Sequence, residues 1–340
     1  PVQIAGVANQ QTGPTSEMAT IPLQISLGLN DADWTLFQFA GFYNVTEESE
    51  LQLTPGVNVA DHALLQFAGL GNYSKTPWLQ MGGLNIVRSS GVLQFGWFGN
   101  LSSNDSGLQM AGVLNIMNRG LAQISAMLNG GDFLPFQVAG IGSASREVGV
   151  QLAGLGNSAE RAGLQFAGFA NYSDNAYFQF AGLFNYSQQS HVQLSLLGNS
   201  GEASFQLSAG WNNGSAPVQI GALNMSSRSL IQVGLLNFAE QSSGLRFALV
   251  NRSEDLSGVD IGLFNEAQAL KGHQIGLINI AWKSPIPFMV FYNFGFEQLD
   301  RERTGIFEAS YTPFQMAFYM PAQLFEKETD VVQLRKFLYF

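Results

Sequence analysis

Cysteine is absent from this sequence of 340 residues, which excludes a disulfide framework and thiolate metal sites. Charge is scarce, since only 12% of residues are Asp, Glu, Lys or Arg, and the net charge is -10. Lysine and arginine form no cluster, which argues against binding to a nucleic-acid phosphate backbone. Long apolar runs are also lacking, because Gln, Asn and Gly interrupt every such stretch. The sequence therefore predicts no transmembrane helix.

The beginning of the chain lacks the charged and apolar segments of a secretory signal peptide. The stretch from Val2 to Gly6 already follows the repeat pattern of the rest of the chain. We therefore expect a processed product from which a signal peptide has been removed. The absence of cysteine agrees with this expectation, and the predicted location is extracellular or at the outer cell surface.

The sequence does contain one repeat of about fourteen residues, in about twenty copies that extend to about residue 293. In nearly every copy a glutamine is flanked by apolar residues, and an asparagine follows five or six positions later, with Ser143 as an exception. Arg246 and Asp260 replace the glutamine in two late copies. The predicted glutamine ladder comprises Gln38, Gln52, Gln66, Gln80, Gln94, Gln109, Gln123, Gln137, Gln151, Gln165, Gln179 and Gln193. The predicted asparagine ladder comprises Asn44, Asn58, Asn72, Asn85, Asn100, Asn115, Asn129, Asn157, Asn171, Asn185 and Asn199.

The alternation of apolar and polar residues around each glutamine predicts an all-β protein and excludes helices. Two architectures fit this pattern. The first is a parallel β-solenoid of about twenty coils with two short strands per coil and a C-terminal β cap. The second is an antiparallel outer-membrane β-barrel in which each copy crosses the membrane once. The segment that ends at Phe340 resembles the last strand of such a barrel.

Two features favour the solenoid. A barrel is expected to repeat a hairpin with alternating loops, because its neighbouring strands run in opposite directions, whereas the copies here are all alike. In addition, the distance from glutamine to asparagine shortens by one residue in some copies, such as Gln80 to Asn85. In one continuous strand this change would turn every later side chain to the opposite face. We therefore predict two strands separated by a corner at the small residue and glycine, as at Ala167 and Gly168.

In the predicted coil, equivalent residues stack about 4.8 Å apart along the axis. We expect the apolar residues beside each glutamine to fill the interior and the glutamines to form an exposed amide ridge, while the asparagines satisfy the backbone of the turns. The apolar residues beside each asparagine are expected to point outward, as a strip that a partner covers. The candidate interface comprises Tyr43, Tyr172, Phe184, Tyr186, Trp211, Phe238 and Phe264.

Two copies resemble known repeat families. The segments that begin at Gln232 and Gln274 both have the order Gln-x-Gly-x-x-Asn-x-Ala, which resembles the core of curlin-type functional amyloid repeats. They are more similar to the Gly-Leu-hydrophobic-Asn repeats of bacterial surface repeat proteins, which tend to close with a segment like that from Pro287 to Phe296. This resemblance implies a protein of the bacterial surface, and it implies no particular activity.

Residues 297–340 differ from the repeats, because charged residues crowd together and the register of Gln and Asn stops. We predict a repeat solenoid over residues 1–296 and a C-terminal cap or docking segment over residues 297–340. The beginning of the repeats has no comparable cap, so we expect it to contact the C-terminal segment of another subunit, head to tail.

The sequence shows no pattern typical of a catalytic, cofactor-binding or metal-binding site, and His62, His191 and His273 stand in different repeat positions. We therefore predict that the protein is not an enzyme and has no cofactor. The leading hypothesis is a structural protein of a bacterial surface or extracellular assembly that self-associates into a filament or layer. Other surface proteins or a membrane are further expected partners, and nucleic acid is not. The alternatives are an integral outer-membrane barrel, and a surface adhesin or binding module that uses a regular Gln-lined face.

Overall fold

The computed structural model describes residues 2–10, 22–284 and 286–295. These residues form a parallel β-solenoid of about 18 turns with coils of about 14 residues, and they contain no helix. Strands of successive coils pair in parallel and in register, as in Gln165 with Gln179 and Asn171 with Asn185. The predicted solenoid is confirmed, and the alternative architecture with antiparallel neighbouring strands is wrong.

The chain divides into two compact units, Pro1–Ala203 and Ser204–Phe340. The strands of the first unit are β1 (Val2–Ala5), β2 (Ala8–Gln10), β3 (Leu23–Ser26), β4 (Leu29–Ala40), β5 (Tyr43–Thr54), β6 (Val57–Ala68), β7 (Gly71–Val87), β8 (Ser90–Ser102), β9 (Asp105–Ala111), β10 (Leu114–Ser125), β11 (Leu128–Ala139), β12 (Gly142–Ala153), β13 (Gly156–Ala167), β14 (Ala170–Ala181), β15 (Phe184–Ser195) and the first residues of β16 (Gly198–Ser208).

The second unit continues the same repeat. Its strands after β16 are β17 (Trp211–Asn213), β18 (Val218–Ile220), β19 (Leu223–Val233), β20 (Leu236–Phe247), β21 (Val250–Leu256), β22 (Val259–Ile261), β23 (Phe264–Leu270), β24 (His273–Ala281) and β25 (Phe288–Phe294).

Each coil buries a few side chains, most of them small or amide-bearing. In the coil formed by β14, the buried side chains are those of Asn171, Ser173, Ala176, Gln179 and Ala181. The residues between them point outward. The interior of this coil is therefore narrow, and most large apolar side chains lie outside such coils, although Met117, Leu256 and Leu270 are buried in others.

Two walls of the coil face each other across this interior. Asn171 in the first wall donates a hydrogen bond from Nδ2 to the carbonyl oxygen of Phe180 in the second wall, at 2.7 Å. The residues that link the two walls within a coil, here 174–177, form what we call the polar bend. The residues that link the second wall to the next coil, here 182–184, form the glycine corner. The polar bend and the glycine corner consequently lie at opposite ends of the cross-section.

The glycine corner has the small residues that the sequence predicted. At the corners of successive coils, Gly140, Gly154 and Gly168 stack so closely that a Cβ atom on Gly168 would overlap the carbonyl oxygen of Gly154. Short copies are also accommodated here, because the register between β7 and β8 shifts between Gly82 and Leu84. The predicted corner that absorbs the change in copy length is confirmed.

The last described strand closes the second unit. Strand β25 pairs with β24 in the antiparallel direction, unlike the strands before it. Its Asn293 donates from Nδ2 to Oε1 of Gln274, the last glutamine of the ladder, at 3.3 Å. This closing strand lies within the predicted repeat domain, and residues 297–340, where the cap was predicted, lie outside the described residues.

Candidate functional site

The glutamine ladder lies inside the coil, so the prediction of an exposed amide ridge is wrong. All twelve predicted ladder glutamines have 0% of their surface exposed. Gln165 donates from Nε2 to Oε1 of Gln151 in the preceding coil, at 2.8 Å, and to the carbonyl oxygen of Tyr172 across the interior, at 3.3 Å. The glutamines therefore hold the walls together, and a Gln-lined face is not available to a ligand.

The prediction that the residues beside glutamine fill the interior is also wrong. Phe178 is half-buried and Phe180 is 47% exposed, although both flank the buried Gln179. The reason is the narrow spacing of the walls, since a glutamine side chain already spans the space to the opposite backbone, at 3.1 Å from the carbonyl oxygen of Tyr186. A phenyl ring at this position would leave that carbonyl without a donor, which is costly in a buried site.

The asparagine ladder is buried as well, and its hydrogen bonds run in the opposite direction along the axis. Asn171 donates from Nδ2 to Oδ1 of Asn185 in the following coil, at 3.0 Å. By contrast, each ladder glutamine donates to the preceding coil, as Gln179 does to Gln165, at 2.9 Å. The two ladders therefore have opposed donor directions wherever successive coils carry both amides.

The asparagine ladder has one defect in the first unit. Ser143 stands where the other copies have asparagine, and its hydroxyl has no hydrogen-bond partner. In the next coil, Oδ1 of Asn157 also has no partner, because no side-chain amide is present at residue 143 to donate to it. The exception seen in the sequence is thus a local loss of two buried hydrogen bonds.

The glutamine ladder has a charged substitution in the second unit. Arg246 and Asp260 are both fully buried and form a bidentate ion pair. Arg246 donates from Nε to Oδ1 of Asp260, at 2.7 Å, and from Nη2 to Oδ2, at 2.5 Å. Burial raises the pKa of Asp260 above its usual range, and the charge and hydrogen bonds of Arg246 oppose this shift. Gln232, in the preceding coil, has an Oε1 atom without a partner because Arg246 donates elsewhere.

The glycine corners place large apolar side chains in solvent along one edge, which we call the apolar edge. No charged residue stands at the described glycine corners of the first unit. The exposed apolar side chains there include those of Leu27, Phe42, Leu70, Leu84, Trp97, Phe98, Val113, Met127, Ile141, Leu155, Phe169, Leu196 and Leu197. In the second unit, the equivalent exposed residues are Leu235, Leu249, Leu263 and Leu277.

A long shallow groove of ≈ 950 Å³ follows the apolar edge of the first unit. It is lined by large side chains next to the ladder glutamines, such as Phe67 and Phe95, and by Trp97 from a glycine corner. Small corner residues such as Ala68 and Gly96 complete its lining. The groove therefore presents an apolar surface over several coils.

The candidate interface residues point outward but are only partly exposed. All seven are half-buried, and they lie beside the buried ladder asparagines on the outside of the first wall. Tyr172 and Tyr186 stack on each other in successive coils, with ring centroids 5.1 Å apart.

Residues such as Leu70 and Phe98 are more exposed, at 69% each, and they were not among the predicted interface residues. Their position next to the corner glycine was the signal that could have identified them.

The polar bends carry most of the charge and form the opposite edge, which we call the polar edge. Ion pairs join neighbouring coils there, as in Lys75 with Asp61, at 2.6 Å, and Arg161 with Glu147. The charged residues at the described polar bends of the first unit are Asp33, Glu47, Glu48, Glu50, Asp61, Lys75, Arg88, Asp105, Arg119, Asp132, Arg146, Glu147, Glu160, Arg161, Asp174 and Glu202. Grooves of ≈ 460 Å³ and ≈ 690 Å³ lie along this edge of the first unit.

The three histidines lie apart and have different neighbours. His62 lies 2.5 Å from the hydroxyl of Thr76, His191 stacks on Tyr177, and His273 lies 2.8 Å from the hydroxyl of Tyr292. Within the described ranges, no group of three His, Cys, Asp or Glu residues is placed to hold a metal ion.

No helix that could cross a membrane occurs in the part of the chain that the structure describes.

Comparison of the chain with protein-family models, with curated proteins and with solved structures gives no match.

Proposed function

We propose that this chain is a structural protein that associates laterally with further copies of itself through the apolar edge. The observation that carries this proposal is the row of exposed Phe, Leu, Trp and Ile side chains along the glycine corners. Soluble proteins rarely leave so extended an apolar surface uncovered. Burial of each such side chain contributes on the order of 1.5–3 kcal/mol, so a row of them supplies a large driving force for association.

A second copy is the occupant that fits this edge best. The apolar side chains recur with every coil, at a rise of about 4.8 Å, and only another copy offers the same spacing over the same number of coils. Because the described glycine corners of the first unit carry no charge, their association would bury no unpaired ion. The polar edge would remain in water and keep the assembly hydrated.

We propose that this assembly lies outside the cell or on its surface. The similarity to bacterial surface repeats and the absence of cysteine support an extracellular or cell-surface setting, in which lateral association would build a filament or a layer. The proposed role requires neither a cofactor nor an enzymatic activity.

A triple substitution at the apolar edge tests the proposal. The triple variant replaces three strongly exposed apolar side chains by lysine: Leu70→Lys, Phe98→Lys and Leu155→Lys. We expect the unsubstituted protein to form larger species as its concentration rises, and the triple variant to remain a monomer under the same conditions. Sedimentation velocity and electron microscopy measure this difference.

A matched control places the same added charge on exposed polar residues elsewhere, as Ser89→Lys, Ser103→Lys and Gln188→Lys combined. This control should associate as the unsubstituted protein does, and circular dichroism should show the same β content in all three proteins. An unsubstituted protein that stays monomeric at every concentration would contradict the proposal. Binding of that monomer to phosphatidylcholine vesicles would then identify lipid as the covering partner.

A further inference from the structure

An aromatic ring with one open face stands on the polar edge of the first unit. Tyr177 is 63% exposed, and His191 in the next coil stacks on it with ring centroids 4.6 Å apart. The residue that precedes Tyr177 by one coil is Gly163, whose neighbours pair with those of Tyr177 in the sheet ladder. Since glycine has no side chain, no side chain from this position covers the second face of the Tyr177 ring.

A groove extends from this open face along the axis. Gly149 precedes Gly163 by one further coil, so the gap is two coils long, and Pro135 lies at its far end. At a rise of about 4.8 Å per coil, Pro135 and Tyr177 are separated by about 14 Å along the axis. Val148 and Ala162 also line the groove, which has a volume of ≈ 690 Å³.

Polar side chains line the same groove and supply both donors and acceptors of hydrogen bonds. Glu147 and Arg161 form an ion pair there, and the carboxylate accepts hydrogen bonds while the guanidinium donates several. Asn175 and Gln189 each offer an amide that both donates and accepts. The charges of the ion pair cancel, so the groove favours a neutral ligand with many hydroxyl groups.

We propose that this groove binds a saccharide, with one sugar ring stacked on the open face of Tyr177 and its hydroxyl groups bonded to Glu147, Arg161 and Asn175. A pyranose ring has an apolar face of C–H groups that packs on an aromatic ring, and a rim of hydroxyl groups that both donate and accept. The coil rise of about 4.8 Å is close to the length of one sugar residue in an extended chain, so an oligosaccharide can lie along the axis. A nucleotide fits less well, because the carboxylate of Glu147 and the net charge of -10 repel its phosphates.

Titration of the full chain with defined oligosaccharides tests the proposal. The probes are hexasaccharides of β-1,4-linked glucose, mannose, galactose and N-acetylglucosamine, and calorimetry and saturation-transfer NMR measure their binding. We expect at least one to bind with a Kd of about 1 mM or lower. Tyr177→Ala should weaken that binding by at least about tenfold, which corresponds to ~1.4 kcal/mol, whereas Tyr177→Phe retains the ring and should keep it.

Trp78→Ala is the matched control. Trp78 occupies the position of Tyr177 in its own repeat, but bulky Leu64 and Val92 precede and follow it by one coil, so it has no glycine gap. This variant should bind the saccharide as the unsubstituted protein does, and so should the triple lysine variant of the apolar edge. The proposal is overturned if no hexasaccharide binds at about 10 mM, or if Tyr177→Ala binds as tightly as the unsubstituted chain. Binding of adenosine in preference to every hexasaccharide would also overturn it.

Discussion

At the scale of single residues, the ladder amides must satisfy several buried groups at once. The side chain of Gln165 donates to Gln151 and to the carbonyl oxygen of Tyr172, and it accepts from Gln179. A buried polar group that loses its partner costs about 1–3 kcal/mol. Each ladder residue is therefore sensitive to substitution, and the two ladder defects offer places where stability can be gained.

Ser143→Asn is expected to repair the asparagine ladder. The new amide can donate to Oδ1 of Asn157, which has no partner, and accept from Asn129 in the preceding coil. Two new buried hydrogen bonds should raise the free energy of unfolding by about 2 kcal/mol. Chemical denaturation followed by circular dichroism measures the change. Ser143→Ala, which removes the unpaired hydroxyl without adding an amide, is the control, and an equal gain in both variants would contradict the ladder explanation.

Conversion of the buried ion pair into amides should leave the second unit folded. Asp260→Gln alone leaves the charge of Arg246 buried and unpaired, and we expect it to lower the free energy of unfolding by about 3–5 kcal/mol. Arg246→Gln combined with Asp260→Gln restores an unbroken glutamine ladder and supplies a donor to Gln232. We expect this double variant to be as stable as the unsubstituted protein or more stable by about 1–4 kcal/mol.

The pH dependence of the free energy of unfolding should differ between the unsubstituted protein and the Arg246→Gln, Asp260→Gln double variant. Because the pKa of Asp260 is raised, the folded state retains a proton there more strongly than the unfolded chain. This group therefore makes the free energy of unfolding fall as the pH rises from about 3.8 through the raised pKa. The double variant should lack this contribution. If the free energy of unfolding depends on pH in the same way in the double variant and in the unsubstituted protein, Asp260 does not titrate as described.

At the scale of the element, one coil is the unit that can be removed. Excision of residues 156–169 joins Leu155 to Ala170 at a glycine corner and brings Gln151 and Gln179 into direct succession. Since each coil contacts mainly its two neighbours, the shortened chain should fold with only a modest loss of stability. Thermal unfolding followed by circular dichroism and gel filtration test this expectation.

Excision of half a coil, residues 163–169, is the control. It would place Tyr172 where the ladder Gln165 belongs and Asn171 at the outward position before it, so the inward side chains of the later coils would no longer match those of the earlier ones. We expect this variant to lose cooperative unfolding. Equal stability of the two deletion variants would show that the amide ladders do not set the register of the coils.

The sequence was sufficient to predict the coil length, the parallel stacking and the glycine corner, because all three follow from periodicity. It was not sufficient to predict which face is inside. The alternation around Gln179 shows that Phe178 and Phe180 share one face and glutamine occupies the other, but alternation alone does not say which face is buried. Hydrophobicity points to phenylalanine, whereas the narrow space between the walls admits the amide instead. The spacing of the walls arises from tertiary packing and is not visible in a single copy.

The open face of Tyr177 was also beyond sequence reasoning. Gly163 and Tyr177 are separated by one coil, and either residue taken alone is unremarkable among 38 glycines and 9 tyrosines. Their relation becomes apparent once the register of the coils places them next to each other.

At the scale of the molecule, each coil of the first unit is amphipathic in cross-section. The glycine corners carry apolar side chains and the polar bends carry most of the charge, and the stacking of coils extends both edges along the axis. The two proposed interactions use different edges, self-association at the apolar edge and saccharide binding at the polar edge. A copy held in an assembly would consequently keep its saccharide groove open to solvent.

The opposed donor directions of the two amide ladders give the stack a polarity. The upper and lower faces of a coil are not equivalent, because one offers glutamine donors and asparagine acceptors while the other offers the reverse. Two coils can join through both ladders only when they have the same orientation, since in a head-to-head contact donors would meet donors. Any addition of coils along the axis therefore has a direction, which is set by the neighbouring coil that the nitrogen of each side-chain amide faces.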